Sequence, residues 1–328
     1  MRNVKVGLIS FAHPHAISYL NALLELPDVA VAGIADEDRG RVQAHVERAG
    51  CPYYADYRDL LRTDVDAVII CSENALHCRL TVDAARHGKH VLCEKPLGTS
   101  LEEMRRMVEA CRESGVRLMT AFPNRYIPMI VKAKEALERG EIGSLLAVKA
   151  TNKGAMPGGW FVDRALSGGG AVMDHTVHVA DLLHWILGAE GAEVYAESGT
   201  LFYDLPIDDA GMVNIVYANG VRAVLDTSWS RTEPFPYKRD LTMELIGTGG
   251  VISIDYFAQV NEVYSSRKTR AEWSYWGDNK DRLLIRDFIR CLRTGEPFPI
   301  TGEDGLKATA VALAAYESAR TGKPVKPE

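Results

Sequence analysis

Asp174 and His178 stand four residues apart in a helical pattern that follows three glycines, Gly168 to Gly170. That spacing places them on one helical face within mutual reach. A carboxylate beside an imidazole orients the ring and stabilises its protonated form, which is what a general base requires. The same pair also occurs as a purely structural helix contact. Lys95 follows the apolar run HVLCE and precedes Pro96, which biases its backbone to an extended form. In a cleft such a lysine can polarise an oxygen or exchange a proton; elsewhere it is a surface lysine. Asp36 ends the apolar run VAVAGIAD. It can accept hydrogen bonds from neighbouring hydroxyls, or simply cap the next helix as the tetrad ADED allows.

These residues need elements to hold them. Over the first ~120 residues, short apolar runs alternate with helical periodicity. Strands are expected at Val4 to Ser10, Val29 to Asp36, Ala67 to Ser72, His90 to Glu94 and Arg117 to Phe122. Helices are expected at His15 to Pro27, through Arg41, Val42 and Val46, over ALHCRLTVDAARHG and from Leu101 to about Ser114. Strands apolar on both faces and separated by helices imply a parallel sheet covered on each side. After Phe122 the pattern changes. A helix (about Pro128 to Arg139), a strand (Leu145 to Thr151), a glycine-rich loop and a helix (about Val172 to Leu187) lead into AGMVNIVYA, VRAVLDTSWS, LTMELIG and VISIDYF. Successive period-2 runs predict a large, open, mostly antiparallel sheet. Two helices, about Asp281 to Thr294 and Gly305 to Thr321, end the chain. The class is α/β, with a parallel-sheet domain over 1–122 and an α+β domain over 123–328.

A net charge of −6 argues against nucleic acid as the main partner, since phosphate binding needs a basic face. The cysteines form no C-x-x-C pair, so neither a zinc ribbon nor a redox dithiol is indicated. Buried reduced thiols suit a cytoplasmic setting. NVKVGLIS reads as the first strand rather than a signal peptide. No apolar stretch approaches the ~20 residues that cross a bilayer.

The first strand-to-helix turn is where a Rossmann domain holds a dinucleotide diphosphate. Here it reads ISFAHPHA, with Ser10, Ala12 and His15 where the G-x-G-x-x-G glycines would stand. The turn residues Ser10, Phe11, Ala12 and His15 are the expected diphosphate contacts, and Asp36 the expected adenosine-ribose acceptor.

The segment CSENALHCRLTVDAARHGKHVLCEKPLG closely resembles the Gfo/Idh/MocA oxidoreductases, most clearly at Glu94-Lys95-Pro96 after G-K-H-V. S-E-N-x-L-H resembles the family's T-P-N-x-L-H, with Glu73 in place of proline, and GGGAVMDHTVH resembles its G-G-G-x-x-x-D-x-x-x-H. Thr176 stands where many relatives have glycine. The resemblance continues through SWSR and LIGTGGVISID to SARTGKPV, essentially the whole chain. It implies a nicotinamide-dependent enzyme acting on a sugar, cyclic polyol or related keto compound. Ser72, Asn74 and His77 would line the nicotinamide ribose, Glu73 would be a further cofactor contact, and Glu94 and Lys95 would flank the nicotinamide.

Within that resemblance His178 is the expected base, Asp174 its partner, and Lys95 the group that polarises the reacting oxygen; Lys95 and His178 could exchange the base role. Asn124, Arg125, Trp160 and His175 are candidate substrate contacts, while Arg231 and Trp229 read equally well as sheet packing. NAD is expected rather than NADP, because Glu37 and Asp38, not arginine, follow Asp36. No metal is expected. A catalytically silent NAD-binding sensor is the alternative on the same fold, and a metal-dependent lyase or hydrolase would draw on Asp174, His175, His178 and His184. The second sheet is expected to pair with that of another subunit, giving a homodimer or homotetramer.

Overall fold

The computed structural model describes residues 3–235, 240–265, 267, 270–275 and 277–328. The chain falls into two compact units. The first comprises Met1–Pro123, Asp163–Gly168 and Asp281–Ala310, and the second Asn124–Val162, Gly169–Lys280 and Val311–Glu328.

The first unit runs β1 (Val4–Ile9), α1 (His15–Leu24), β2 (Val29–Ala35), α2 (Arg39–Ala49), β3 (Tyr53–Tyr54), α3 (Tyr57–Leu61), β4 (Ala67–Ile70), α4 (His77–Arg86), β5 (His90–Cys93), α5 (Leu101–Glu113) and β6 (Leu118–Thr120). Its strands pair in the order β3-β2-β1-β4-β5-β6, every pairing parallel. That is the doubly wound order, with its crevice at the carboxyl ends where the direction reverses between β1 and β4. All four residues of β4 are buried, as covering on both faces demands. The short β3 and α3 were not expected from sequence: two tyrosines make too brief a run to show a period. The first two residues of the expected third helix, Ala75 and Leu76, belong instead to a 3-10 turn, Asn74–Leu76, before α4.

The chain continues with α6 (Pro128–Glu138), β7 (Leu145–Thr151), α7 (Arg164–Ser167), α8 (Ala171–Leu187), β8 (Gly191–Gly199), β9 (Ala210–Tyr217), β10 (Arg222–Asp226), β11 (Thr242–Gly247), β12 (Val251–Asp255), β13 (Val260–Ser265) and β14 (Arg270–Tyr275). In the second unit six strands pair as β12-β11-β7-β10-β9-β8. Only β10 with β7 is parallel; the other four pairings are antiparallel. Alternation is clean on β9, where Val213 and Ile215 are buried and Met212 and Asn214 exposed.

α9 (Lys280–Thr294) and α10 (Gly302–Thr321) close the chain. Residues 281–310 belong to the first unit rather than to a continuous second domain. The reason is packing: Leu284, Ile285 and Phe288 are fully buried, and Arg117, just before β6, donates to the Cys291 carbonyl at 3.0 Å. α10 starts three residues earlier than expected because Thr301 and Asp304 cap it reciprocally. Among the described residues no helix is long and apolar enough to cross a membrane.

Candidate functional site

The turn after β1 keeps the backbone of a glycine without the glycine. Ser10 has φ +67°, a left-handed conformation that L side chains rarely adopt. The turn's amides are engaged within the chain. Ser10 N donates to the Ala35 carbonyl (2.7 Å) and His13 N to the Cys71 carbonyl (2.9 Å), tying the turn to the ends of β2 and β4. Phe11 N donates to Asp36 Oδ2 (2.8 Å). Ala12 N donates to Ser10 Oγ (3.1 Å) and His15 N to His13 Nδ1 (3.2 Å). The last two acceptors are side chains that can rotate aside. The Phe11 ring stacks on His45 at 5.0 Å.

Asp36 lies just past β2 and is buried. It does not cap α2; Asp38 does, accepting from the amides of Gly40 and Arg41. The Asp36 carboxylate instead receives Arg41, with Nη2 2.7 Å from Oδ1 and Nε 3.1 Å from Oδ2. No arginine stands immediately after Asp36; the one that pairs with it comes about a helical turn further on. A cavity of about 270 Å³ opens here, lined among others by Ser10, Asp36, Ser72, Glu73 and Arg79. It therefore gathers four of the residues singled out from sequence at the carboxyl edge of the sheet.

Asn74 and His77 take structural contacts. Asn74 Nδ2 donates to the Ser167 carbonyl at 2.8 Å. The fully buried His77 places Nδ1 2.9 Å from the Pro96 carbonyl and Nε2 3.3 Å from that of Ser72. Burial pushes this ring below its ordinary value, against the opposing effect of those carbonyls.

Glu94 follows β5 and is buried. Its Oε1 accepts from Tyr19 OH (2.5 Å) and lies 3.1 Å from His15 Nδ1, while Oε2 accepts from Lys95 N (3.1 Å). Burial alone would raise this carboxyl, yet His13, His15 and the Tyr19 hydroxyl outweigh it and hold the group well below the usual carboxylate range. Lys95 is buried too, and its bond to Pro96 is cis. Tyr19, 75 residues from Glu94, was not singled out from sequence.

In the second unit, α8 begins where the three glycines end, and the structure explains them. Gly168 has φ +78°. A Cβ on Gly169 would strike Tyr316 Oη, and one on Gly170 the Asp208 carbonyl oxygen. Asp208 then caps the helix, accepting from Gly170 N (3.0 Å) and Val172 N (2.9 Å), and Tyr316 OH accepts from Met173 N (3.1 Å). This fixes the first turn, which carries Asp174. Asp174 and His178 are half-buried. Asp174 Oδ2 accepts from Trp229 Nε1 (3.3 Å) and lies 3.3 Å from His175 Nε2. Trp229 is fully buried against Ala171 and Ile207, so it packs as expected and also orients the carboxylate.

The candidate substrate contacts diverge. Arg125 forms a buried bidentate pair with Asp181 (2.9 and 2.5 Å). Asn124 Oδ1 accepts from Lys280 Nζ. His175 Nδ1 sits 2.8 Å from the Thr227 carbonyl. Trp160 stacks on Phe161 at 3.9 Å and stays half-exposed. His184 Nε2 accepts from Gly191 N at 3.3 Å.

Two family models match the chain. Residues 4–122 match one described as oxidoreductase family, NAD-binding Rossmann fold, and residues 130–253 match the GFO/IDH/MocA C-terminal domain. The chain is 31% identical to the uncharacterized oxidoreductase YrbE of Bacillus subtilis, covering 99% of this chain and 95% of that protein. It is 30% identical to myo-inositol 2-dehydrogenase of Thermotoga maritima, covering 99% of both. Among solved structures, GenD2 from gentamicin A biosynthesis, in complex with NAD, superposes with a TM-score of 0.91 at 25% identity, covering 100% of this chain and 97% of that one.

Proposed function

The chain belongs to the Gfo/Idh/MocA family of oxidoreductases, and from that premise we propose a dehydrogenase or reductase that moves a hydride between NAD and a sugar, cyclic polyol or related keto compound. Membership favours an enzyme over a silent sensor. The observation that carries the reading is the cavity at the β1/β4 switch point, where Asp36 and Ser10 meet Ser72 and Glu73. The residues fit a dinucleotide. Asp36 offers carboxylate oxygens to ribose hydroxyls, and the Ala12 and His15 amides donate to the Ser10 and His13 side chains, which a diphosphate could displace.

A nicotinamide held there would supply the acceptor for the carbinol hydride. Lys95 polarises the reacting oxygen. His178 takes the hydroxyl proton, and Asp174, steadied by Trp229 Nε1, stabilises the resulting imidazolium. Lys95 and His178 can exchange these roles. Trp160 is only partly buried, and an aromatic ring suits a sugar. NAD is preferred because Asp36 repels a 2′-phosphate, but Arg41 offsets part of that charge, so the preference is modest. The exposed Met212, Ile246 and Val251 on the outer face of the second sheet favour pairing with a second copy, as a dimer or tetramer.

A screen of sugars and polyols with NAD and NADP, read by absorbance of the reduced nicotinamide, tests the reading. Turnover of at least one polyol is expected. Tight NAD binding with no turnover across the panel would oppose it.

A further inference from the structure

His13, His15 and Glu94 meet where the first turn reaches the end of β5. Among the described residues they form the group of metal-ligating side chains whose donor atoms converge, all within 4.8 Å of one another. Asp174, His175, His178 and His184 do not form such a group. We propose that His13, His15 and Glu94 bind one divalent transition-metal ion of the zinc class, which ties the β1–α1 turn to β5.

Two imidazole nitrogens and one carboxylate oxygen are the donor types such ions take, usually with a fourth position left to water or another ligand. Bond lengths of ~2.0–2.1 Å put tetrahedral ligands about 3.3 Å apart. His15 Nδ1 and Glu94 Oε1, at 3.1 Å, already match one such edge. The rings of His13 and His15 are 4.4 Å apart, edge to face, so a turn of the His13 ring closes the set. Its contact with the His15 amide is long at 3.2 Å, and coordination through Nδ1 would replace it.

Outer contacts of the kind that orient ligands are present. Tyr19 OH holds Oε1 of Glu94, and the Lys95 amide holds Oε2. Charge points the same way. The Glu94 side chain is fully buried, and a buried carboxylate needs positive charge beside it. Histidine supplies that charge only when protonated, whereas a divalent ion supplies it with neutral rings. His15 keeps 14% of its side chain exposed, which leaves a way in. The turn has thus lost glycines and gained two ligands.

This inference does not rest on the proposed reaction, and its test reads metal rather than turnover. Full-length protein stripped with chelator is titrated with Co²⁺, followed by its visible ligand-field bands, and then with Zn²⁺ in competition. The expected result is one equivalent of Co²⁺ displaced by Zn²⁺. His13→Ala and His15→Gln should lose the bands. Tyr19→Phe should weaken binding about 10–100-fold, and His178→Ala should bind as the wild type does. Thermal unfolding confirms that each variant is folded. Absence of stoichiometric binding by the wild type overturns the proposal whatever the variants do. So does unchanged binding in folded His13→Ala and His15→Gln, or loss of binding in His178→Ala alone.

Discussion

The Arg41 guanidinium grips the Asp36 carboxylate side-on, Nη2 to Oδ1 at 2.7 Å and Nε to Oδ2 at 3.1 Å. A carboxylate at this position discriminates between cofactors by repelling a 2′-phosphate, and a bound arginine weakens that repulsion. Arg41→Ala should therefore weaken NADP binding by about tenfold, roughly 1.4 kcal/mol for one partly screened charge contact. NAD binding should change much less. Calorimetric titration of both cofactors reads the ratio. Tighter NADP binding in the variant would show that Arg41 does not face the 2′ position through Asp36.

Ser10 sits at φ +67° and uses its hydroxyl to hold the Ala12 amide. Glycine relieves a left-handed strain of about 1 kcal/mol and removes the hydroxyl that competes with a diphosphate for that amide. Ser10→Gly should tighten NAD binding severalfold. Thermal stability should change little, because glycine's extra freedom in the unfolded chain offsets the relief. Weaker NAD binding by a folded Ser10→Gly would mean that the hydroxyl itself serves the cofactor.

Acid should destabilise the fold in two steps of the same sign. Burial holds His77 below its ordinary value, whereas the unfolded chain takes up that proton near pH 6.5. Below about pH 6.5 the unfolded state binds more protons, so stability falls as the pH drops. Glu94 acts later. Its carboxyl is held well below the usual range, so its contribution is complete above about pH 4.3 and is lost only as pH falls through the depressed value. Tm measured between about pH 8 and 5 should decline, and less steeply in His77→Gln. An equal decline in both proteins would remove His77 from the account.

The alternating architecture was legible because the strands of the first unit are mostly apolar, Ala67–Ile70 wholly so, and helical patterns separate them. β8 escaped notice. Of its nine residues only Val194 and Ala196 are buried, too few to mark a period among its glutamates. The parallel pairing of β10 with β7 follows from which strand lies where, and no local pattern encodes it. At the site, Lys95, Asp174 and His178 stood out by motif. Tyr19 on Glu94 and Trp229 on Asp174 are contacts across 75 and 55 residues, and only folding brings them together. Arg125 reads from sequence as a cleft residue, but its charge is matched by Asp181, on the same helix as Asp174 and His178.

Lys95 and His178 are expected to serve the chemistry rather than the fold. The direct measurement is kcat and kcat/KM for the wild type, Lys95→Ala and His178→Ala, using the polyol that the screen finds most active. NAD affinity is measured in parallel. Loss of a positioned acid–base group should lower kcat by about 10²–10⁴, with NAD binding retained because the Asp36 cavity is untouched. Near-normal turnover in both variants would contradict the assignment.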